Sequence, residues 1–342
     1  MDRELKDGST PLKPEDYTVG WVCALPIELA ASLKMLDETH PSLQQPGQDS
    51  NVYTLGRIDN HNVVMACLPK GSMGAVPAAE VAVQMRMAFP SIRFGLMVGI
   101  GGGVPSPTAD IRLGDVVVSK QEMGRGGVIQ YDYGKTRPEG FKRTGSLNAP
   151  PTVLLNALNT LEARRITGES ALPLNLSRLR CLTEFDRDSA GHDDLFEASY
   201  IHTEDGTCDG CDKGRLVKRS PRASGPVVHY GTIASGNQVM RDAVVRDRLS
   251  AELDGVLCFE MEAAGLMNSF PCLVIRGISD YADSHKNKSW QGYAAATAAA
   301  FSREILAIIP TEQVLKTPVT GKGSICYRQC GPRMVPRRAI GG

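Results

Sequence analysis

FEMEAAGL at 259–266 and VIRGISDYAD at 274–283 are the stretches from which the fold of this chain is read. The first sets two carboxylates, Glu260 and Glu262, where a short apolar strand passes into a helix. The second is an apolar run that carries Arg276 and stops at Ser279 and Asp280. Near-continuous apolar runs of this length read as strands buried on both faces, the pattern of a largely parallel sheet covered by helices. In open α/β sheets the crevice beyond the carboxyl ends of the strands is the usual ligand site. A carboxylate held there can have its pKa tuned for proton transfer, or can accept hydrogen bonds from sugar hydroxyls.

Reading outward, YTVGWVCAL at 17–25 is another buried strand, and Pro26 opens a helix to about Leu36 with Ile27, Leu29, Ala30, Leu33 and Leu36 on one side. Glu28 falls in the first turn of that helix. An acid there has an ordinary explanation, complementing the helix dipole. Beside Glu262 and Asp280 it becomes one of three acids at three strand ends, a pattern that suits chemistry on a sugar. NVYTLGRI and HNVVMACL, joined by Asp59-Asn60, suggest a hairpin. Further strands are expected at 94–104, 111–119 and 227–236, and helices at 75–89, 151–165 and 289–309. Strands alternating with helices predict a three-layer α/β/α architecture around a central twisted mixed sheet. VGIGGGV, with Gly99, Gly101, Gly102 and Gly103, reads as a strand running into a glycine loop whose backbone N–H groups could approach a ligand. It does not open a helix as a dinucleotide fingerprint would, so a Rossmann domain is disfavoured.

The sequence divides into a polar arm (1–15), one α/β domain (16–310) with a charged insertion at about 167–226, and a tail (311–342) expected to be disordered. From Gln313 onward there are six basic residues and no acidic one. Lys plus Arg (38) equals Asp plus Glu (38), so nothing global points to nucleic acid or a membrane surface. No 18-residue apolar run exists and the N-terminus is too polar for a signal peptide, which leads us to expect a soluble cytoplasmic protein. Nine cysteines, an odd total, argue against a closed disulfide framework. Cys23, Cys67, Cys258 and Cys272 sit in apolar runs and read as core residues. In the insertion, Cys208 and Cys211 with His202 are half of a zinc signature, which Cys181 or His192 would have to complete. Paired reduced thiols are the preferred reading there, and neither metal nor cofactor is expected.

The motifs ALPIE (24–28), VGIGGG (98–103), LGDVVVS (113–119), IASGNQV (233–239), FEMEAAG (259–265) and RGISDYAD (276–283), in this order, resemble the nucleoside phosphorylase and nucleosidase superfamily. The likeness runs from about Tyr17 to Pro310. It is greatest to the methylthioadenosine/adenosylhomocysteine nucleosidase branch and to nucleosidase-like domains related to ATP nucleosidases. The resemblance implies roles residue by residue. Asp280 would act as the general acid at N7 of the purine, with Ser279 orienting it. Glu262 would hold the ribose hydroxyls and Met261 would pack on the sugar. Glu28 would position and deprotonate the attacking water. Gly99, Ile100, Gly101 and Gly102 would line the ribose and nucleophile side, and Asn237 and Val239 would border the base. Glu260 and Arg276 are counted with the binding residues. Dimers are usual in that branch, so a homodimer is expected.

Phosphorylases of the superfamily carry a G-D-P-x-R segment after the first strand, where this chain has A-L-P-I-E, and an acid there would repel phosphate. The expected activity is therefore hydrolysis of the N-glycosidic bond of an adenine nucleoside or nucleotide, adenosine or ATP. The alternatives are a purine nucleoside phosphorylase and, from another class, a non-catalytic nucleotide-sensing module. Lys286 and Lys288 in HKNKSW, just past Asp280, would meet a 5′ phosphate, and Arg125, Lys135 and Arg143 lie in a segment that could fold over the crevice.

Overall fold

A computed structural model describes residues 11–320 except 46, 123, 203–206 and 223–224. In chain order its elements are β1 (Val19–Cys23), α1 (Pro26–Leu33), β2 (Glu38–His40), β3 (Thr54–Ile58), β4 (His61–Cys67), α2 (Ala75–Ala88), β5 (Phe94–Gly103), β6 (Val116–Ser119) and β7 (Val128–Gln130). A small hairpin, β8 (Gly134–Arg137) and β9 (Gly140–Arg143), precedes α3 (Thr152–Ile166) and α4 (Leu172–Ser177). The chain then forms β10 (Val228–Gly231), β11 (Ile233–Ser235), α5 (Ala243–Glu252), β12 (Cys258–Glu260), α6 (Ala263–Leu266), β13 (Cys272–Asp280), α7 (Gln291–Ile308) and α8 (Thr311–Lys316).

The main sheet runs β10-β6-β13-β5-β1-β4-β3-β2. Its centre, β13-β5-β1-β4, is parallel, whereas β6 is antiparallel to β13 and the β2-β3-β4 edge is antiparallel. The expected mixed sheet is therefore present. Every residue of β1 and β13 is buried, as strands covered on both faces must be. On one face α1, α3, α4 and α7 pack with the inward side chains Trp21, Phe94, Leu96 and Ile275; on the other, α2 and α6 pack with Val22, Met97 and Val274. The alternation of neighbours such as Trp21 and Val22 between two cores follows from the two-residue period of a strand. β3 and β4 form the expected hairpin, with Asp59 at its turn in the left-handed region (φ 49°).

The glycine run differs from its reading as a loop. Gly99, Gly101, Gly102 and Gly103 are strand residues of β5, whose end pairs with β13 on one side and with β12 on the other. Side chains cannot be accommodated where three strands converge so closely. A Cβ on Gly101 would lie 2.4 Å from Cys258 Sγ, and one on Gly102 would lie 2.8 Å from Asp280 Oδ1. At that junction the β13 register shifts between Ile278 and Asp280, a bulge of the kind that re-aims a side chain beside a site.

The insertion is not merely a surface cover. Leu172, Leu179 and Phe185 join the core under α7, and Leu195 and Phe196 are buried. The stretch after Pro310 likewise begins with order: α8 buries Val314, and Thr320 donates from both its backbone N–H and its hydroxyl to the Ile92 carbonyl. The remainder of the tail and most of the arm lie outside the described residues. Among the described residues, no helix is long and apolar enough to cross a membrane.

Candidate active site

At the carboxyl ends of β1, β5, β12 and β13 lies a cavity of about 330 Å³. It is lined by twelve of the expected residues: Glu28, Ile100, Gly101, Gly102, Val239, Glu260, Met261, Glu262, Ser279, Asp280, Lys286 and Lys288. Gly99, Asn237 and Arg276 do not line it, and each has another task.

Glu28 is buried at one end. Because Pro26 starts α1 directly after β1, its carboxylate turns back over the strand end. Oε2 accepts from the N–H groups of Ala24 (2.7 Å) and Leu25 (2.8 Å), and Oε1 from that of Ile100 (2.8 Å). Burial raises its pKa, while the charge on Arg276 and these three N–H bonds act in the opposite direction. Gly99 makes this arrangement possible, since a Cβ there would fall 2.5 Å from both Glu28 Oε1 and Arg276 Nη1.

Arg276 lies behind the cavity wall, and Glu260, which lines the cavity, is tied to it. The Glu260 carboxylate accepts from the N–H groups of Glu262 (3.1 Å) and Ala263 (3.0 Å), closing the start of α6, and pairs with Arg276. Arg276, fully buried, also reaches Glu262 at 3.3 Å. Glu262 accepts from the Gly74 N–H as well (3.3 Å). Its pKa is raised to about 7 by burial, with Arg276 lowering it and the charges of Glu260 and Glu28 raising it. Asn237, expected beside the base, instead accepts from the Ala75 N–H at the start of α2 (3.1 Å), and its own N–H donates to Asp132 (2.7 Å).

Asp280 stands at the other end. Its Oδ1 accepts from the Ala282 N–H (2.9 Å), and its Oδ2 accepts from the Ser279 hydroxyl and the Lys286 ammonium, each at 2.9 Å. Lys286 is thus committed to Asp280, while Lys288 lines the cavity without an ion-pair partner among the described residues. Arg125 and Arg143 do not fold over this crevice. They pair with Asp254 and Glu252 and line a separate cavity, and Lys135 is exposed on β8.

The wall also contains Leu25, Met73, Gln238, Met240, Phe259 and Gln291, which sequence reading did not single out. Leu25, Gln238 and Phe259 are immediate neighbours of quoted motif residues, so adjacency was the available signal. Met73 comes from the connection between β4 and α2, which carries no comparable marker.

A family model described as the phosphorylase superfamily matches residues 18–309, and the chain belongs to that superfamily. A nucleotide-binding leucine-rich repeat (NLR)-like protein of Hyaloscypha variabilis is 51% identical over 316 residues, covering 89% of this chain and 30% of that protein. The ATP nucleosidase Cap17 of Escherichia coli is 26% identical over 296 residues, covering 83% of this chain and 50% of that protein. The chain thus spans half or less of the length of these two curated relatives. A Helicobacter pylori MTAN, solved as an Asp-to-Asn variant with 5′-methylthioadenosine in its active site, superposes with a TM-score of 0.56 at 17% identity. That match covers 85% of this chain and 98% of the solved one, and it supports the three-layer fold.

Proposed function

We propose that the chain hydrolyses the N-glycosidic bond of an adenine nucleoside or nucleotide, releasing adenine and the ribose moiety. The observation that carries this reading is the placement of Glu28, Glu262 and Asp280 around one cavity at the strand ends. In the proposed reaction Asp280 takes up a proton from the Lys286 ammonium beside it, which solvent re-protonates, and passes it to N7, so that the N9–C1′ bond breaks toward a neutral base. Water adds to the oxocarbenium-like C1′ and loses its proton to Glu28. Glu262 accepts hydrogen bonds from the 2′ and 3′ hydroxyls, and Met261 packs against the sugar. General acid–base assistance of this kind is worth roughly 10²–10⁴-fold per group. Water is favoured over phosphate because the site's buried guanidinium, Arg276, is already paired with Glu260 and Glu262. A phosphate at that end would meet carboxylates.

Incubation in phosphate-free buffer with adenosine, ATP, methylthioadenosine and inosine, followed by chromatography, tests the reading. Free base together with free sugar product is expected. Base release only after phosphate addition would make the chain a phosphorylase, and intact ligand after long incubation would make it a binding module.

Two predictions refine the site. An ionised carboxylate accepts from both sugar hydroxyls, more strongly than a protonated one that keeps a single good acceptor, so with the Glu262 pKa raised to about 7 kcat/KM should climb as pH rises through about 7. Glu262→Gln should remove that limb, and a flat wild-type profile from about pH 5.5 to 8 would count against the sugar-binding role. The ion pairs separate the two lysines. Lys288 lines the cavity with no ion-pair partner among the described residues, which together with the name of the Escherichia coli relative favours ATP as substrate; Lys288→Ala should then raise KM for ATP and leave adenosine unchanged. Lys286→Ala should slow both substrates alike, because its partner is Asp280. Equal effects of Lys288→Ala on both substrates would remove the phosphate role.

A further inference from the structure

Outside this cavity the insertion and the catalytic loop meet in a cluster of metal-ligating side chains. One donor atom each of His202, Cys211 and His285 lies within 4.8 Å of the others. His202 Nδ1 is 3.2 Å from Cys211 Sγ. The fourth member is Cys208, whose thiol interacts with Cys211 and lies 3.7 Å from the carbonyl oxygen of His285. The expected completion by Cys181 or His192 is replaced by a residue distant in sequence, His285, from the loop after β13. We propose that His202, Cys208, Cys211 and His285 form a structural zinc site that fastens the insertion to the loop carrying Asp280 and Lys286.

Three observations support a ligand here. Among the described residues, Nε2 of His285 is buried with no hydrogen-bond partner, a costly state for an imidazole nitrogen unless something else meets it, and His202 turns its Nδ1 to the Cys211 thiol while its Nε2 is likewise unpartnered. The ring of His285 is fixed in place: Phe196 stacks on it at 4.1 Å between centroids, and the Asp283 carboxylate lies 4.0 Å from its Nδ1, so that a small closure would let Nδ1 donate to it while Nε2 meets an ion. The donor set is two thiols and two imidazoles with a C-x₂-C pair, the chemistry that selects zinc in a closed tetrahedral site. Ligand atoms of such a site stand roughly 3.3–3.8 Å apart at zinc–sulfur and zinc–nitrogen distances of about 2.3 and 2.0 Å, so drawing the donors of His202, Cys211 and His285 onto one ion requires shifts of about 1 Å, and the Cys208 thiol must turn from the His285 carbonyl to join them. Zinc binding would release the two thiol protons to solvent and leave both sulfurs as thiolates; no redox step is involved.

The site would act through position. His285 is adjacent to Lys286 and five residues beyond Asp280, so a metal there would fix the end of the loop that supplies the proposed acid and its ammonium partner. This is independent of which substrate the cavity takes, and its test reads metal rather than turnover.

The full chain, purified without chelator, should contain one equivalent of zinc by elemental mass spectrometry. Replacement by cobalt should give the visible absorption of a tetrahedral ion together with thiolate-to-cobalt charge-transfer bands. Cys211→Ser and His285→Ala should each weaken cobalt binding by at least ~100-fold. Circular dichroism establishes that the variants fold, and chelation followed by re-addition of zinc to the wild type provides a measurement that needs no variant. The proposal is overturned if the wild type takes up neither metal, if the variants retain the wild-type stoichiometry, or if mass spectrometry finds Cys208 and Cys211 joined as a disulfide in the freshly purified chain.

Discussion

Asp280→Asn is expected to lower kcat for base release by roughly 10²–10⁴-fold, equivalent to about 3–5 kcal/mol of transition-state stabilisation, with little change in folding. The amide keeps the shape of the carboxyl group, and its oxygen can still accept from the Ala282 N–H or the Ser279 hydroxyl, as Asp280 does. It cannot hand a proton to N7, so the base would have to leave as an anion. The variant also loses the ion pair with Lys286, whose partly exposed ammonium can turn to water. Stability should therefore move far less than rate. Single-turnover kinetics with adenosine would separate the two, because substrate binding should survive while the chemical step slows. Unaltered turnover in a correctly folded Asp280→Asn protein would remove Asp280 from the mechanism, and equal losses of kcat and thermal stability would reassign it as a structural residue.

The parts of this site that were legible in the sequence are those governed by local rules. Strand ends locate Asp280, and strand ends followed closely by helix starts locate Glu28 and Glu262, because such junctions are written in nearly consecutive residues. Pairing across the fold is not written that way. Glu260 lines the cavity as expected of a binding residue, but its ion pair with Arg276, which does not line it, is recorded in neither segment: β12 and β13 bring the carboxylate and the guanidinium into one buried space. Gly99 to Gly103 were expected to form a loop because glycine lowers strand propensity. Here the close approach of β13 and β12 to both sides of β5 outweighs that propensity, and only residues lacking a Cβ fit. Arg125 and Arg143 show the converse: their sequence neighbourhood is open and glycine-rich, but each finds an acid near the end of α5 and turns away from the crevice. His285 reads in sequence only as the start of a basic stretch, because its proximity to His202 and Cys211 depends on the packing of the insertion against the loop after β13.

The largest loss of stability is expected from Arg276→Met. Arg276 is completely buried and faces three acidic side chains: Glu260 and Glu262 in ion pairs, and Glu28 across the space left by Gly99. One positive charge among three carboxylates is the arrangement in which desolvation is most sensitive to losing the partner. Methionine would fill much of the volume, so the penalty would come from charge rather than from a cavity. Removing one member of a buried pair costs about 3–5 kcal/mol, because the remaining charge stays buried without compensation. The pH dependence distinguishes this cause from poor packing. Folded-state pKa values of Glu28 and Glu262 are already raised above the ordinary carboxylate value, and losing the guanidinium would raise them further. Groups with raised folded-state pKa values bind more protons folded than unfolded. Their favourable contribution is complete below the unfolded pKa and disappears as pH rises through the folded one. The deficit of Arg276→Met relative to wild type should therefore be greatest near pH 8 and shrink as pH falls toward about 5, where the stranded carboxylates take up protons. Urea unfolding midpoints of both proteins across that range measure it directly. A deficit independent of pH would mean that methionine packs badly, and no deficit at all would mean that the carboxylates around Arg276 are hydrated and that the guanidinium is not what holds this end of the site together.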